Sequence, residues 1–347
     1  MDFGGGEDIR FERLGAAGVV TLTRPKALNA VTHAMVLALT RALAAWADDP
    51  EVALVVIKAE GRAFSAGGDI LHIYEAGRAG NPPLDFFADE YRLNLAIARY
   101  PKPYVALVDG IAMGGGVGVS FHGSHRLMSE NAVFAMPEVG IGFFPDVGGS
   151  YILPRLKDRF GLYLGLTGAR IRQGDAVWSG LASHAVQQAD LEAILAALAD
   201  SGDADAVAAR YAQTVPCETA VDTLSSIARH FAPGDFDQTL TDLRREAEAG
   251  ENFAAATLET FSKRSPTSLR VAHRQIIEGA AIDMAACMRM EYRIVSRMLA
   301  GHDFYEGIRA AIIDKGDTPV WRPATLDAVT PEIVDAYFAP LDRDLDL

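Results

Sequence analysis

The 347-residue chain has little cysteine, no run of basic residues and no long hydrophobic stretch, and each lack closes off a class of protein. Its two cysteines, Cys217 and Cys287, lie far apart with no partner at ligand spacing. They make neither a disulfide framework nor a zinc motif, and such usage suits a reducing compartment. Both read as ordinary thiols within helices. Lys and Arg number 32 against 46 Asp and Glu, for a formal net charge of −14. A nucleic-acid partner is excluded, because no basic face is available to neutralise phosphates. No apolar run approaches the ~18 residues of a membrane span, so no membrane partner is expected either. The opening residues 1–10, MDFGGGEDIR, are acidic and Gly-rich. They lack the basic-then-apolar order of a secretory signal and the Arg-rich, acid-poor character of a mitochondrial leader. The expected compartment is therefore the cytoplasm.

What is present is globular material. Half the residues are hydrophobic and 22% are charged, ample for a buried core. Length suggests roughly two domains of about 150 residues each. Residues 18–24 (GVVTLTR), 52–59 (VALVVIKA) and 104–109 (YVALVD) are runs of strand type, with shorter ones at 125–129 and 132–136. Met35, Leu39, Leu43 and Trp46 recur at three- and four-residue spacing and predict a helix over 32–48, ended by Pro50. A second helix is expected over 84–99, stopped by Pro101 and Pro103, which lack the amide proton. A short one is expected over 117–123. From about Leu156 the helical pattern dominates, with helices expected over 191–199, 203–213, 219–231, 235–250, 253–264, 268–278, 283–299 and 302–313. Strands alternating with helices, followed by helices alone, indicate an α/β fold with a helical second part. Pro216 and Pro233 are the candidate linker positions.

Two glycine-rich turns stand where a strand hands over to a helix: residues 63–70, AFSAGGDI, and 110–119, GIAMGGGVGV. Glycine lets a ligand approach the main chain closely. The first amides of a helix lack internal partners and carry partial positive charge, so a developing oxyanion is stabilised there. Tight turn packing explains either stretch equally well when each is taken alone. A dinucleotide site fits poorly, since Gly114, Gly116 and Gly118 give G-x-G-x-G and not G-x-G-x-x-G. A P-loop is excluded, because no Lys-Ser or Lys-Thr follows.

A third stretch, FAMPEVGIGFFPDVGG at 134–149, sets Glu138 and Asp146 among apolar residues. Carboxylates there are costly unless paired, exposed or useful. Burial would raise their pKa toward the range that general acid–base work needs. The plainer alternatives make Glu138 a capping or surface residue and Asp146 the cap of the next helix. Glu90, next to Asp89, reads as part of a solvated helix face. His122 and His125 have no matching ligands, so no metal site is expected. Ser65 and Ser120 lack the context of a nucleophile elbow.

Taken together, these words resemble the enoyl-CoA hydratase/isomerase (crotonase) superfamily, and within it the 3-hydroxyisobutyryl-CoA hydrolases. The resemblance is carried by AFSAGGDI and GIAMGGGVGV, by YRLN at 91–94 and by FAMPEVGIGFFPDVGGSYILPRL at 134–156. Later words extend it: LTGARI at 166–171, SPTSLR at 265–270 and DFYEGIRAAIIDKGDTPVW at 303–321. It implies a spiral of ββα units: an acyl-CoA-binding core over 1–215, followed by a helical region over 216–347. It implies hydrolysis of the 3-hydroxyisobutyryl-CoA thioester, and of the 3-hydroxypropionyl analogue, in valine catabolism. The alternative on the same fold is hydration or isomerisation of an enoyl-CoA. It further implies an oxyanion hole at the amides of Ala66 and Gly115, catalytic Glu138 and Asp146, and substrate binding by Glu90, Gly115, Glu138 and Asp146. Hydratases usually carry a second glutamate where this chain has Gly118, which speaks for hydrolysis. No metal and no separate cofactor is expected, coenzyme A being part of the substrate. The superfamily often forms trimers, so a homo-oligomer, trimer or hexamer, is one expectation; the other is that the extended C-terminal helices cover the same surface. Two further readings compete: a crotonase-like chain kept as a scaffold, and the dinucleotide enzyme.

Overall fold

Buried β-branched runs build the first unit. The computed structural model describes residues 1–232 and 234–347. It has nine strands among these residues: β1 (Ile9–Leu14), β2 (Ala17–Leu22), β3 (Leu54–Ala59), β4 (Ala63–Ser65), β5 (Tyr104–Val108), β6 (Ile111–Met113), β7 (His125–Met128), β8 (Val133–Ala135) and β9 (His184–Ala185). Six of them form one sheet in the order β1-β2-β3-β5-β7-β9, antiparallel only between β1 and β2. The short strands β4, β6 and β8 form a second, parallel sheet. Strands β3, β5 and β7 are thus each followed by a short one across a tight turn, the repeated step of a ββ spiral. Gly110 turns one of these corners at φ +76, where a β-carbon would collide with the Arg62 carbonyl.

Both faces of the long sheet are covered, as a largely parallel sheet requires. Alternate residues Val19, Leu54, Val56, Val105, Leu107 and Leu127 pack with Ile194, Leu198 and Val207 from helices Leu191–Ser201 and Ala204–Tyr211. On the other face helix His33–Ala47 brings Trp46, which lies against Gly18 so closely that a β-carbon would sit 2.7 Å from its ring. Thr32 caps that helix with its hydroxyl oxygen. The short helix expected at 117–123 begins earlier, at Gly115–Gly118. Strand β1 is not among the expected runs, although Ile9, Arg10, Phe11 and Glu12 alternate inward and outward before Arg13 breaks the pattern.

The second unit is helical. Its members include Ile70–Arg78, Phe160–Thr167, Pro266–Gly279, Met284–Met298, Asp303–Ile308 and Pro331–Phe338. Ser265 and Asp283 accept hydrogen bonds from the amides of Ser268 and Ala286, capping two of them. Tyr163, Phe231, Phe236, Phe253 and Phe261 pack edge-to-face or tilted in its interior. The units interleave along the chain. The first comprises residues 1–69, 88–135 and 170–218; the second comprises 70–87, 136–169 and 219–347. The expected boundary after residue 215 falls near one of these crossings. The other crossings are invisible to composition, since 70–87 and 136–169 join the later helices through tertiary packing. Pro216 lies at the end of the first unit, whereas Pro233 is outside the described residues. No described helix is long and apolar enough to cross a membrane. Cys287 lies in a helix as expected. Cys217 does not: it sits in a loop, where its thiol donates to Asp175 Oδ1 at 3.1 Å.

Candidate active site

In the first unit the two glycine turns leave adjacent parallel strands, since Ser65 on β4 lies opposite Ala112 on β6. Gly114, at φ +48, turns the chain into helix Gly115–Gly118. The turns touch: a β-carbon on Gly116 would meet the Ser65 carbonyl oxygen at 2.5 Å. A β-carbon on Gly115 would stand 2.9 Å from Glu90 Oε1 and 3.2 Å from the Gly68 nitrogen. Glycine at 115 therefore keeps open a point on which a carboxylate and main-chain nitrogens converge. As the first residue of its helix, Gly115 has no intrahelical acceptor for its amide.

Glu90 is only 2% exposed. The solvated face expected for it belongs to Asp89, which pairs with His33 at 2.8 Å and with Arg92 at 2.9 Å. One residue on, a helix has turned about 100°, and Glu90 points inward. Ala66 also departs from expectation. Its amide donates to the Leu28 carbonyl at 3.0 Å. Leu28 and Asn29 both have positive φ, 51° and 54°. The Asn29 side-chain amide holds this bend by donating to the carbonyls of Glu60 and Ala63, each at 2.8 Å. A substrate oxygen would have to share or displace the Leu28 carbonyl to reach the Ala66 N–H.

In the second unit the carboxylates are brought together. Glu138 opens a 3₁₀ turn, Glu138–Ile141, behind Pro137. That turn closes at Gly142, φ +71, where a β-carbon would collide with the Asp303 carbonyl, so helix Asp303–Ile308 lies directly on it. Phe143 follows, packed on Phe87, Phe144 and Phe304 with centroids 6.0, 4.8 and 5.1 Å away. Glu138 is 7% exposed, and its Oε2 has no hydrogen-bond partner among the described residues. It is neither a surface residue nor merely a cap. Burial, then the negative charge of Asp146 and Glu291, raises its pKa well above the usual carboxylate value.

Asp146 is 5% exposed. It does not cap the following helix, Gly149–Ile152, whose N-cap is Gly148 and which has no side-chain cap. Between them Val147 sits at φ +47. A β-branched residue rarely adopts this region, at a cost of ~1–3 kcal/mol.

The third carboxylate, Glu291, is missed by reading the sequence. It is 0% exposed. Its Oε2 accepts from the Gly148 amide at 2.9 Å, and its Oε1 from the Ser150 amide at 3.0 Å and from the Ser150 hydroxyl. Burial, reinforced by the charge of Asp146, pushes its pKa up to about 8 against the pull of these three donors. The signal was there. In helix Met284–Met298 the apolar stripe runs through Met288, Val295 and Met298, and Glu291 falls in its phase.

A profile of the enoyl-CoA hydratase/isomerase family matches residues 17–338. The chain belongs to that family. A Danio rerio relative, a mitochondrial 3-hydroxyisobutyryl-CoA hydrolase, is 44% identical over 99% of this chain and 92% of its own. Among solved structures, the carnitinyl-CoA dehydratase of Mycobacterium thermoresistibile superimposes with a TM-score of 0.92 at 40% identity, covering 98% of this chain and 99% of that one. An enoyl-CoA hydratase from Rhodobacter sphaeroides gives 0.87 at 41% identity, covering 98% and 100%. The cytoplasmic expectation is corrected by the curated relatives. Those from Danio rerio, Xenopus tropicalis and Homo sapiens are all named mitochondrial. The residues from which a compartment was inferred lead into β1, which begins at Ile9.

Proposed function

We propose that the chain hydrolyses the thioester of 3-hydroxyisobutyryl-CoA, releasing the hydroxy acid and free CoA, as a step of valine catabolism. One observation carries this reading: near-full-length identity of 41–45% to relatives named for that reaction. Hydration of an enoyl-CoA is disfavoured by Gly118, which has no carboxylate to serve as the second acid–base group of hydratases.

In the proposed reaction the thioester oxygen is received by the Gly115 amide, with the Ala66 amide shared from Leu28. Such donors are worth most where charge develops, about 2.7–4 kcal/mol for one of them. Glu138, a strong base when ionised because burial disfavours its charge, then acts by one of two routes. It takes a proton from water as the water oxygen bonds the acyl carbon, or its own oxygen bonds that carbon to form a mixed anhydride that water opens. In both, the C–S bond breaks, and the proton released by the attacking water balances the one the CoA thiolate takes up. Asp146 and Glu90 bind and orient the 3-hydroxyl, whose single proton one of them accepts. A plain acyl group offers no hydroxyl for this contact and is disfavoured accordingly. Carboxylates carry every proton in this sequence, so the reaction as proposed calls for neither metal nor separate cofactor. The 3-hydroxypropionyl thioester presents its hydroxyl similarly and is an expected second substrate.

The test follows free thiol and enoyl absorbance together. Thiol release from 3-hydroxyisobutyryl-CoA, outpacing release from isobutyryl-CoA, is the expected result. Loss of enoyl absorbance without free thiol would replace hydrolysis with hydration.

A further inference from the structure

Asp146 stands in a strained turn closed by one main-chain bond of its own, from the Gly149 amide to the Asp146 carbonyl at 2.8 Å. Val147 has the left-handed backbone that β-branched residues avoid, and the helix that follows is one turn long with no side-chain cap. Such a conformation persists where its surroundings over-determine it. Two buried side chains from the later helices do this. Gln275 Nε2 donates to the Pro145 carbonyl, immediately before Asp146. Glu291 accepts from the Gly148 amide at 2.9 Å, from the Ser150 amide at 3.0 Å and from the Ser150 hydroxyl, immediately after it. Asp146 and Val147 are bracketed between the two clamps. Helix Pro266–Gly279 supports the same turn, for at Gly279 a β-carbon would collide with the Ser150 carbonyl.

Stability alone is a weak reason for this arrangement. A serine or asparagine at the cap itself would satisfy a short helix, without taking a carboxylate out of water. Glu291 instead reaches the turn from helix Met284–Met298, with two main-chain donors and one hydroxyl fixing its orientation.

We propose that Glu291, seconded by Gln275, is a positioning residue. It fixes the 145–150 turn so that the Asp146 carboxylate meets the substrate's 3-hydroxyl, and so sets the preference for hydroxylated over plain acyl groups. This rests on the role of Asp146 proposed above.

The measurement is the ratio of kcat/KM for 3-hydroxyisobutyryl-CoA to that for isobutyryl-CoA, by thiol release. Asp146→Ala should lower the ratio. Glu291→Gln should lower it about tenfold, and should leave it unmoved when Asp146 is already alanine. Should Glu291→Gln fail to fold, Ser150→Ala removes one of the three donors and should shift the ratio the same way, about threefold. A ratio that stays put in these variants while Asp146→Ala lowers it overturns the positioning role and leaves Asp146 as read. Equal losses with and without Asp146 overturn it too, since Glu291 would then not act through that residue. A ratio untouched by Asp146→Ala overturns the reading of Asp146 itself, and the positioning role falls with it.

Discussion

The two units present opposite chemistries by opposite means. The first offers main-chain amides, and it does so by omission: glycines at 114–116 have no side chains to fill the point beside Glu90. The second offers charge, and it does so by enclosure: Glu138, Asp146 and Glu291 are taken out of water among aromatic and aliphatic groups. Amides positioned by backbone geometry work at any pH and fail when something is added. Buried carboxylates depend on protonation and fail when something is removed. The contrast therefore sorts mutations by kind.

Removal should be felt most at Glu138. Glu138→Gln keeps the volume and discards the base, and kcat for thiol release should fall by about 10²–10⁴. Thermal unfolding should not worsen, because a buried acid with an unpartnered Oε2 has been replaced by a neutral group. A variant as active as the wild type would break the second half of the comparison.

Addition should be felt next, and differently at neighbouring glycines. In Gly116→Ala the new methyl meets the Ser65 main-chain oxygen at 2.5 Å, and backbone on a strand does not yield. Overpacking of this kind costs about 1–3 kcal/mol, so the melting temperature should drop by several degrees. In Gly115→Ala the nearest atom is the end of the Glu90 side chain, Oε1 at 2.9 Å, and the nearest backbone atom, the Gly68 nitrogen, stands farther off at 3.2 Å. That variant should fold normally, yet lose about tenfold in kcat/KM because the methyl occupies the ligand's place. Reversal of this pattern, with Gly115→Ala the less stable and Gly116→Ala the less active, would assign the amides the wrong way round.

How far the sequence disclosed these features follows the same division. Helices with periodic stripes and hard stops were legible: the one expected over 84–99 is Leu84–Ala98, and the one expected over 283–299 is Met284–Met298. The glycine turns were legible as turns, because glycine clusters leave few alternatives. Their occupants were not. That the Ala66 amide already donates to Leu28 depends on two consecutive left-handed residues, Leu28 and Asn29, that no local propensity announces. Glu90 and Asp89 were indistinguishable by type, and only the helix's rotation separates the buried one from the one paired with His33 and Arg92. Glu291 hid for another reason. It occupies a stripe position where an apolar residue is the ordinary expectation, and its partners, Gly148 and Ser150, lie more than a hundred residues away in the chain.

The smallest effect expected is on stability, and it isolates Glu291. Its ordinary value is 4.5 and burial pushes it up to about 8 in the folded protein. Below pH 4.5 both folded and unfolded chains hold this proton, and the native state has its full advantage. As pH rises from 4.5 toward 8 the unfolded chain releases the proton while the folded chain keeps it, so unfolding is favoured progressively. Above 8 both have released it and the dependence on this group ends. Glu138, shifted the same way, adds a decline of the same sign. Denaturant unfolding at a series of pH values should therefore show stability falling between pH 4.5 and 8, with a shallower slope in Glu291→Gln than in the wild type. An unchanged slope would mean that the amides of Gly148 and Ser150 hold Glu291 ionised throughout, with its charge fully compensated by main-chain donors. The second unit would then stabilise an anion with main-chain amides, the role proposed for those of the first.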